Sequence, residues 1–494
     1  MTAQTQSGST RSPAPAIAQS AGRWLALACI AIAQLMVALD ATIVNIALPS
    51  AQHALHISDP QRQWVVTAYT LAFGGLVILG GRVADLIGRR RAFLIGLAGF
   101  AVASAAGGAA PTFGALVAAR AFQGACAALL TPTALSLLAV TFTEARERAK
   151  AFAVFGAIAG TGGALGLLLG GALTQYLDWR WCLFVNVPIA VFALLGGRRV
   201  LPAAPGAHAM FTQSRGQRVD VPGAVLISTG LVLVVYGLSS AASKGWAAPV
   251  TLSTLVAGLA VIGTFVLTES RRAAPLLPLR IVADRNRGGS YLAIGLAVVA
   301  MYGLFLLLTY DFQVVLRYSP VRAGLAFLPL SAAVLASSTL ISRALLPRLA
   351  PRWLMAPGLT VAAIGMATLT SLHAGGGYAA HILPAEILLG LGMGAVFVPA
   401  FSTATLGVQP REAGVASAVA GTAQQIGASV GTALLNTIAA AATASYLIAH
   451  VRAPLPTALV HGYADAAGWA AAILLGAAVT VGLLVTARAP EAHS

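Results

Sequence analysis

The chain has 494 residues, of which 58% are hydrophobic and only 9% charged, where soluble domains carry about 25% charge. So few charges on so much apolar surface exclude an ordinary cytosolic enzyme, a disordered chain and a disulfide-stapled secreted domain. The formal charge of +16 admits a nucleic-acid surface until the basic residues are placed.

A bilayer crossing needs about 20 mostly apolar residues. Such runs recur fourteen times in chain order, at 24–48, 63–82, 92–110, 113–139, 149–174 and 182–201, then 221–240 and 250–268, then 288–314, 323–342, 353–372, 379–403, 413–443 and 464–487. The run at 413–443 exceeds the membrane thickness and predicts a tilt, a kink or an extension beyond lipid. With the first terminus inside, alternation places 23 of the 30 Lys and Arg on one side, six on the other and Arg120 within a run. That is the positive-inside pattern. It predicts an inner, plasma-membrane protein with both termini cytoplasmic, and it assigns the charge to topology, not nucleic acid. Cys29, Cys126 and Cys182 lie in apolar runs without CxxC spacing, so neither a disulfide framework nor a metal site is expected.

The predicted organisation is all-α. Residues 1–22 form a disordered N-terminus, 23–201 a six-helix bundle, and 202–220 a linker rich in Pro, Gly and Ala. Residues 221–268 are two inserted transmembrane helices, 269–287 a second linker, 288–487 a second six-helix bundle and 488–494 a tail. Faint internal echoes support two halves. Pro132-Thr133-Ala134 in the fourth run and Pro399-Ala400-Phe401 in the twelfth stand 267 positions apart. Glu147-Arg148-Ala149-Lys150 and Arg411-Glu412-Ala413-Gly414 repeat near the same offset. Repeated halves with a binding site between them are common in secondary transporters.

Charged side chains inside a bilayer are costly and mark functional positions by default. Asp40 in run one, Arg120 in run four and Glu386 in run twelve sit roughly 10–12 Å below the outer face at helical rise. Opposite charges at one depth can pair, and a pairing that changes with protonation would couple protons to movement; the alternative is a structural ion pair. Asp311 is placed at the interface, and His373, His381, His450 and His461 in or near outside loops. Trp64 and Tyr69, Tyr302 and Phe305, and Phe397 with Phe401 recur at near-helical spacing and suit a cavity for a lipophilic cation, although such residues are more often core or lipid-facing. Gln424 and Gln425 are mid-membrane amides that need partners.

Between runs two and three the chain reads Gly81-Arg82-Val83-Ala84-Asp85-Leu86-Ile87-Gly88-Arg89-Arg90-Arg91. This segment resembles the signature loop of the major facilitator superfamily. Arg120-Ala121-Phe122-Gln123-Gly124 is similar to that superfamily's R-x-x-Q-G motif. Leu39-Asp40-Ala41-Thr42-Ile43-Val44-Asn45, Trp179-Arg180-Trp181 through Asn186-Val187-Pro188, and Tyr318-Ser319-Pro320 resemble its fourteen-span drug/proton antiporters. The likeness covers about residues 22–487. It implies two six-helix bundles opening alternately to either side, a gating loop at Gly81, Asp85, Gly88, Arg89 and Arg90, and proton coupling or cavity electrostatics at Asp40 and Arg120. Asn45 and Gln123 join the candidate cavity. In run five, Gly156, Gly160, Gly163, Gly166, Gly170 and Gly171 present a smooth packing face, with Leu167 where the family usually has Pro.

These readings favour a proton-coupled exporter of small amphipathic compounds in a lipid bilayer, driven by a proton gradient, with no cofactor and no obligatory protein partner. The alternatives are a proton-coupled uptake or exchange carrier and, distantly, a membrane enzyme or sensor. No nucleotide loop, catalytic triad or HExxH pattern is present.

Overall fold

The computed structural model describes residues 16–142, 144–201, 220–272, 279–346, 348–373, 376–406, 408 and 413–487. The described residues form helices joined by turns, with no strand among them. The long helices are α1 (Ala16–Ala54), α2 (Trp64–Ile87), α3 (Arg89–Gly108), α4 (Phe113–Thr141), α5 (Ala145–Tyr176) and α6 (Trp181–Val200). Next come α7 (Val221–Lys244) and α8 (Pro249–Ser270). The second half holds α9 (Arg285–Val315), α10 (Pro320–Leu340), α11 (Arg352–Ser371), α12 (Tyr378–Ala404), α13 (Ala413–Ala449) and α14 (Leu455–Leu484). Eleven helices among the described residues are long and apolar enough to cross a membrane, and shorter apolar stretches lie at Trp64–Val77 and Pro222–Leu238. α1 starts at Ala16, so the stretch expected to be disordered is helical over its last residues. Residues 1–15, most of the 202–220 linker and the Arg411-Glu412 echo lie outside the described residues. α13 has 37 residues, about 55 Å at helical rise, and exceeds the hydrocarbon thickness as its run predicted.

α1 to α6 pack around one apolar core that includes Met36, Phe93, Phe100 and Phe142. α9 to α14 pack around a second that includes Phe312, Phe327, Met355 and Leu435. α7 lies beside α2 and α13, with α8 packed on α7: Ser228 donates to the Gly75 carbonyl at 2.6 Å, and Thr437 donates to the Leu238 carbonyl at 3.5 Å. Asp220, which caps α7, is paired with Arg272. Burial opposes its charge, but bonds from Glu269, the Gly223 amide and Arg272 outweigh this and hold its carboxyl below the usual range.

The close packing depends on residues without side chains. α5 lies against α1 through its glycine stripe. A Cβ on Gly166 would strike the Thr42 hydroxyl and come 2.7 Å from the Leu39 carbonyl, and one on Gly170 would come 2.6 Å from the Ile43 carbonyl. Gly171 faces Pro320 of α10, where a Cβ would meet its carbonyl at 2.6 Å. Gly163 is looser, with a Thr42 methyl 3.6 Å from the same construction. The surroundings of Gly156 and Gly160 lie outside the described residues. Because backbone cannot yield, Gly166→Leu is expected to lower the thermal unfolding midpoint in detergent, at the upper end of the roughly 1–3 kcal/mol typical of overpacking; an unchanged midpoint would contradict the close α1–α5 contact.

The two ends of the molecule are distinguishable. The start of α1 lies beside the start of α5, with Arg23 bonded to Glu147 at 2.9 Å. The start of α9 lies beside the end of α14, with Arg285 donating to the Leu484 carbonyl at 3.0 Å. These mark the terminal end. At the opposite, distal end the halves are joined. Tyr310 of α9 donates to Gln52 of α1 at 2.5 Å. Gln313 donates to the Ile46 carbonyl at 3.0 Å, and Gln175 accepts from the Val321 amide at 3.2 Å. Arg62 donates to Asn436 of α13 at 3.2 Å, Asn436 donates to Gln63 at 2.8 Å, and Thr70 and Ser429 hydroxyls meet at 2.6 Å. The distal end is closed.

Candidate functional site

Leu39 and Thr42 face α5, so helical spacing turns Asp40 the other way, toward α4 and α6. Asp40 is fully buried, and Arg120 is 1% exposed. Arg120 Nη1 donates to Asp40 Oδ2 at 2.7 Å. Asp40 Oδ1 accepts from Gln123 Nε2 at 2.8 Å and from Asn186 Nδ2 at 2.8 Å. Arg120 Nη1 also donates to Gln123 Oε1 at 2.7 Å, and its Nε donates to the Val65 carbonyl at 3.1 Å. Gln123 reaches on to Ser104 at 2.7 Å. The Arg120 guanidinium lies over the Tyr69 ring, 4.2 Å from its centroid.

The local sequence explains the assembly. Arg120 and Gln123 stand at i and i+3 on one face of α4. Gly124 is next to them because α4 must cross α2 closely: a Cβ there would run into the Tyr69 carbonyl. The same contact brings Val65 and Tyr69 of α2 under the guanidinium. Four helices, α1, α2, α4 and α6, thus meet on one ion pair, with α3 contributing Ser104. A buried pair offsets its desolvation only with such supporting bonds. The carboxylate accepts from the buried Arg120 cation and from two side-chain amides, which ties α1 to α4 and α6.

Glu386 is not brought to this pair. It is fully buried in the second half, and its Oε2 meets the Tyr378 hydroxyl at 3.0 Å. Equal depth along the membrane normal therefore does not make it a partner of Arg120. α12 is wedged between α10 and α11 by Gly390, Gly392 and Gly394, whose Cβ positions are filled by Leu330, Gly358 and Val334 backbone, and this fixes its acid inside the second core. Asp311 is 3% exposed, not interfacial, because the end of α9 winds into a π turn at Asp311–Val315.

Other candidates scatter. Trp64 meets Tyr236 of the inserted α7 at a tilt, ring centroids 5.9 Å apart. Tyr302 and Phe305 are buried and meet edge to face at 6.1 Å, and Phe305 continues onto Phe327 at 5.5 Å. Tyr302 lies near enough to Asp40 and Arg120 for both charges to act on it. Phe397 is half-buried beside Phe401, which is 40% exposed. Gln425 packs on Gly74, and Gln424 is half-buried. Asn45 is buried, and its amide nitrogen has no hydrogen-bond partner among the described residues. In the loop after α2, Gly88 has φ +92°, a left-handed turn that favours glycine. Arg90 donates to the Arg198 carbonyl at 2.5 Å, while Arg89 and Gly81 are half-buried. The Asp85 side chain lies outside the described residues. His373 and His381 pair edge to face at 4.7 Å on the exposed surface.

Sequence reasoning missed Ser104 and the role of Asn186. Asn186 had a signal, a polar residue inside the motif before α6; Ser104 in α3 had almost none.

Comparison with known proteins identifies this arrangement. The Major Facilitator Superfamily model matches residues 30–432. The chain belongs to the Major Facilitator Superfamily. It is 51% identical over 474 residues to the puromycin resistance protein of Streptomyces alboniger, covering 95% of this chain and 93% of that protein. It is 38% identical to the cephamycin export protein of Amycolatopsis lactamdurans over 93% of this chain and 92% of the relative. It is 34% identical to the multidrug efflux pump of Mycolicibacterium smegmatis over 94% and 90%. Among solved structures it resembles an inward-facing, unoccupied bacterial homolog of the human lysosomal transporter Spinster, with TM-score 0.65 and 16% identity over 94% of this chain and 97% of that one. The superfamily and these relatives are transporters, not enzymes, and the chain is a multi-pass membrane transporter of the drug-efflux type.

Proposed function

We propose that this superfamily member is a fourteen-span plasma-membrane antiporter that exports small amphipathic amines, puromycin foremost, in exchange for protons. The observation that carries the reading is the buried Asp40–Arg120 pair with three donors on the carboxylate. A proton on Asp40 cancels the charge opposite Arg120 and changes which helix packing is favoured. Alternating access needs such an equilibrium that a ligand can bias. The bias of Lys and Arg toward the terminal end supports cytoplasmic termini, which makes the closed distal end the outer one. The buried aromatic pair Tyr302–Phe305 beside the acid suits an amine carrying an aromatic group. The first relative's name supports puromycin as the probe.

Leu167, in place of the proline usual in the family, is the departure that bears on export against uptake or exchange. It lies where α5 meets α10, with a Cβ on Gly324 reaching the Leu167 carbonyl at 2.6 Å. A resistance and efflux panel in a pump-deficient host, wild type against Asp40→Asn, separates the readings: export raises the tolerated puromycin concentration, whereas uptake lowers it. For the gating loop, Asp85→Ala is expected to cut the transport rate at least about tenfold at unchanged membrane abundance, the scale of a lost 1.4 kcal/mol. A normal rate would remove the loop from the mechanism.

A further inference from the structure

The second half holds an acid that the Asp40 pair does not use. The Tyr378 hydroxyl, which has one hydrogen, stands 2.8 Å from the Ala326 carbonyl and 3.0 Å from Glu386 Oε2. A carbonyl only accepts, and so does an ionised carboxylate. If Tyr378 donates to Ala326, a charged Glu386 faces its lone pairs; if it donates to Glu386, it turns lone pairs on Ala326. A single hydrogen shared between the two acceptors makes two weakened bonds; both contacts are full hydrogen bonds when Glu386 itself carries a proton and donates to Tyr378, which then donates to Ala326. The shorter of the two distances is the one to the carbonyl. A second observation agrees. Glu386 Oε1 is buried and has no hydrogen-bond partner among the described residues, an arrangement that would strand a charge but tolerates a neutral acid.

Among the described residues, no cation is paired with the acid. Beside it are Tyr378 on α12 and the Phe312 ring of α9, 5.9 Å from that of Tyr378. Tyr318, between α9 and α10, acts on Tyr378. Arg322 of α10 is stacked over Tyr318 at 3.9 Å. Asp311 adjoins Phe312 on α9, and the His373–His381 pair lies at the exposed approach to α12. Arg352, the charge on α11, is at the terminal end of that helix, and α13 carries no Asp, Glu, Lys or Arg.

We infer that Glu386 and Tyr378 form a second proton-binding site, separate from Asp40, that is occupied while the distal end is closed. The hydroxyl relays the bound proton's hydrogen bond to the α10 backbone at Ala326, one residue before the break at Phe327. Loss of the proton would then strain the α10–α12 contact, so occupancy and packing are linked. The proposal deepens the antiporter reading and rests on it for its use, but not for its detection.

The test is infrared spectroscopy of the purified full chain in lipid nanodiscs at neutral pH, reading the C=O stretch of protonated carboxyl groups. Wild type and Asp40→Asn are expected to show a band component that Glu386→Gln lacks, while Asp311→Asn retains it. Tyr378→Phe is expected to keep the component at a shifted frequency, because the acid has lost its hydroxyl partner; a merely structural tyrosine would leave the frequency alone. An identical spectrum for Glu386→Gln and wild type would overturn the site, and so would an unshifted component in Tyr378→Phe. Because the readout is proton occupancy, transport without a proton gradient would defeat the antiporter reading and leave this result standing.

Discussion

Asp40→Asn is expected to abolish proton-driven transport and also to destabilise the protein, and a second substitution separates the two effects. The single change leaves the Arg120 guanidinium buried, at 1% exposure, without its counter-charge. Breaking one side of a buried pair costs about 3–5 kcal/mol. The Val65 carbonyl, Gln123 and the Tyr69 ring stay in place and hold the loss toward the lower end. Arg120→Gln alone strands the carboxylate in the same way. The double variant Asp40→Asn/Arg120→Gln removes both charges and is expected to recover most of the thermal stability lost by either single change, because replacing a whole buried pair with neutral groups is often close to neutral. Transport is expected to stay lost. A purely structural pair predicts instead that transport returns with stability. Parallel thermal unfolding and vesicle transport on the four proteins decide between these outcomes.

The second large effect is expected at the distal seam. Asn436 accepts from Arg62 and donates to Gln63, so it ties α13 to the start of α2 across the two halves. All three side chains are buried, Arg62 at 5% exposure. Hydrogen bonds to charged groups contribute about 1.5–3 kcal/mol each. Asn436→Ala therefore shifts the equilibrium away from the distal-closed state by roughly tenfold or more, the scale of 1.4 kcal/mol. Leu48, at 0% exposure, lies on α1 between Ile46 and Gln52, which bond to the second half at the same distal end. On a background with Cys29, Cys126 and Cys182 replaced, a cysteine substituted for Leu48 should react with a membrane-impermeant maleimide at least about tenfold faster when Asn436→Ala is added. An unchanged labelling rate would show that the seam does not hold the distal end shut.

The sequence made some of this legible for physical reasons. Lipid forces each apolar run to satisfy its own backbone, so run length alone reports the helices. The cost of charge in lipid picked out Asp40 and Arg120; Gln123 was read as a cavity residue, and the structure bonds it to both. The glycine stripe of α5 was legible because small residues are what close helix approach requires. Depth was less informative for Glu386. It is a one-dimensional coordinate, whereas partnership depends on which helices are neighbours, and the glycines of α12 commit that helix to the second core. Trp64 was read from its near-helical spacing with Tyr69, and its contact with inserted α7 could not be read from spacing. The distal seam was hardest to see. Gln52, Gln63, Gln175 and Asn436 are uncharged amides at the ends of runs, where water remains a plausible partner until the opposite half is in place.

The most direct test of the account is puromycin transport in inside-out vesicles carrying the full chain, with an imposed acid interior. The account predicts accumulation that follows the pH gradient, collapses with a protonophore and is absent in Asp40→Asn. Accumulation at the same rate without a gradient, or undiminished in Asp40→Asn, would contradict it.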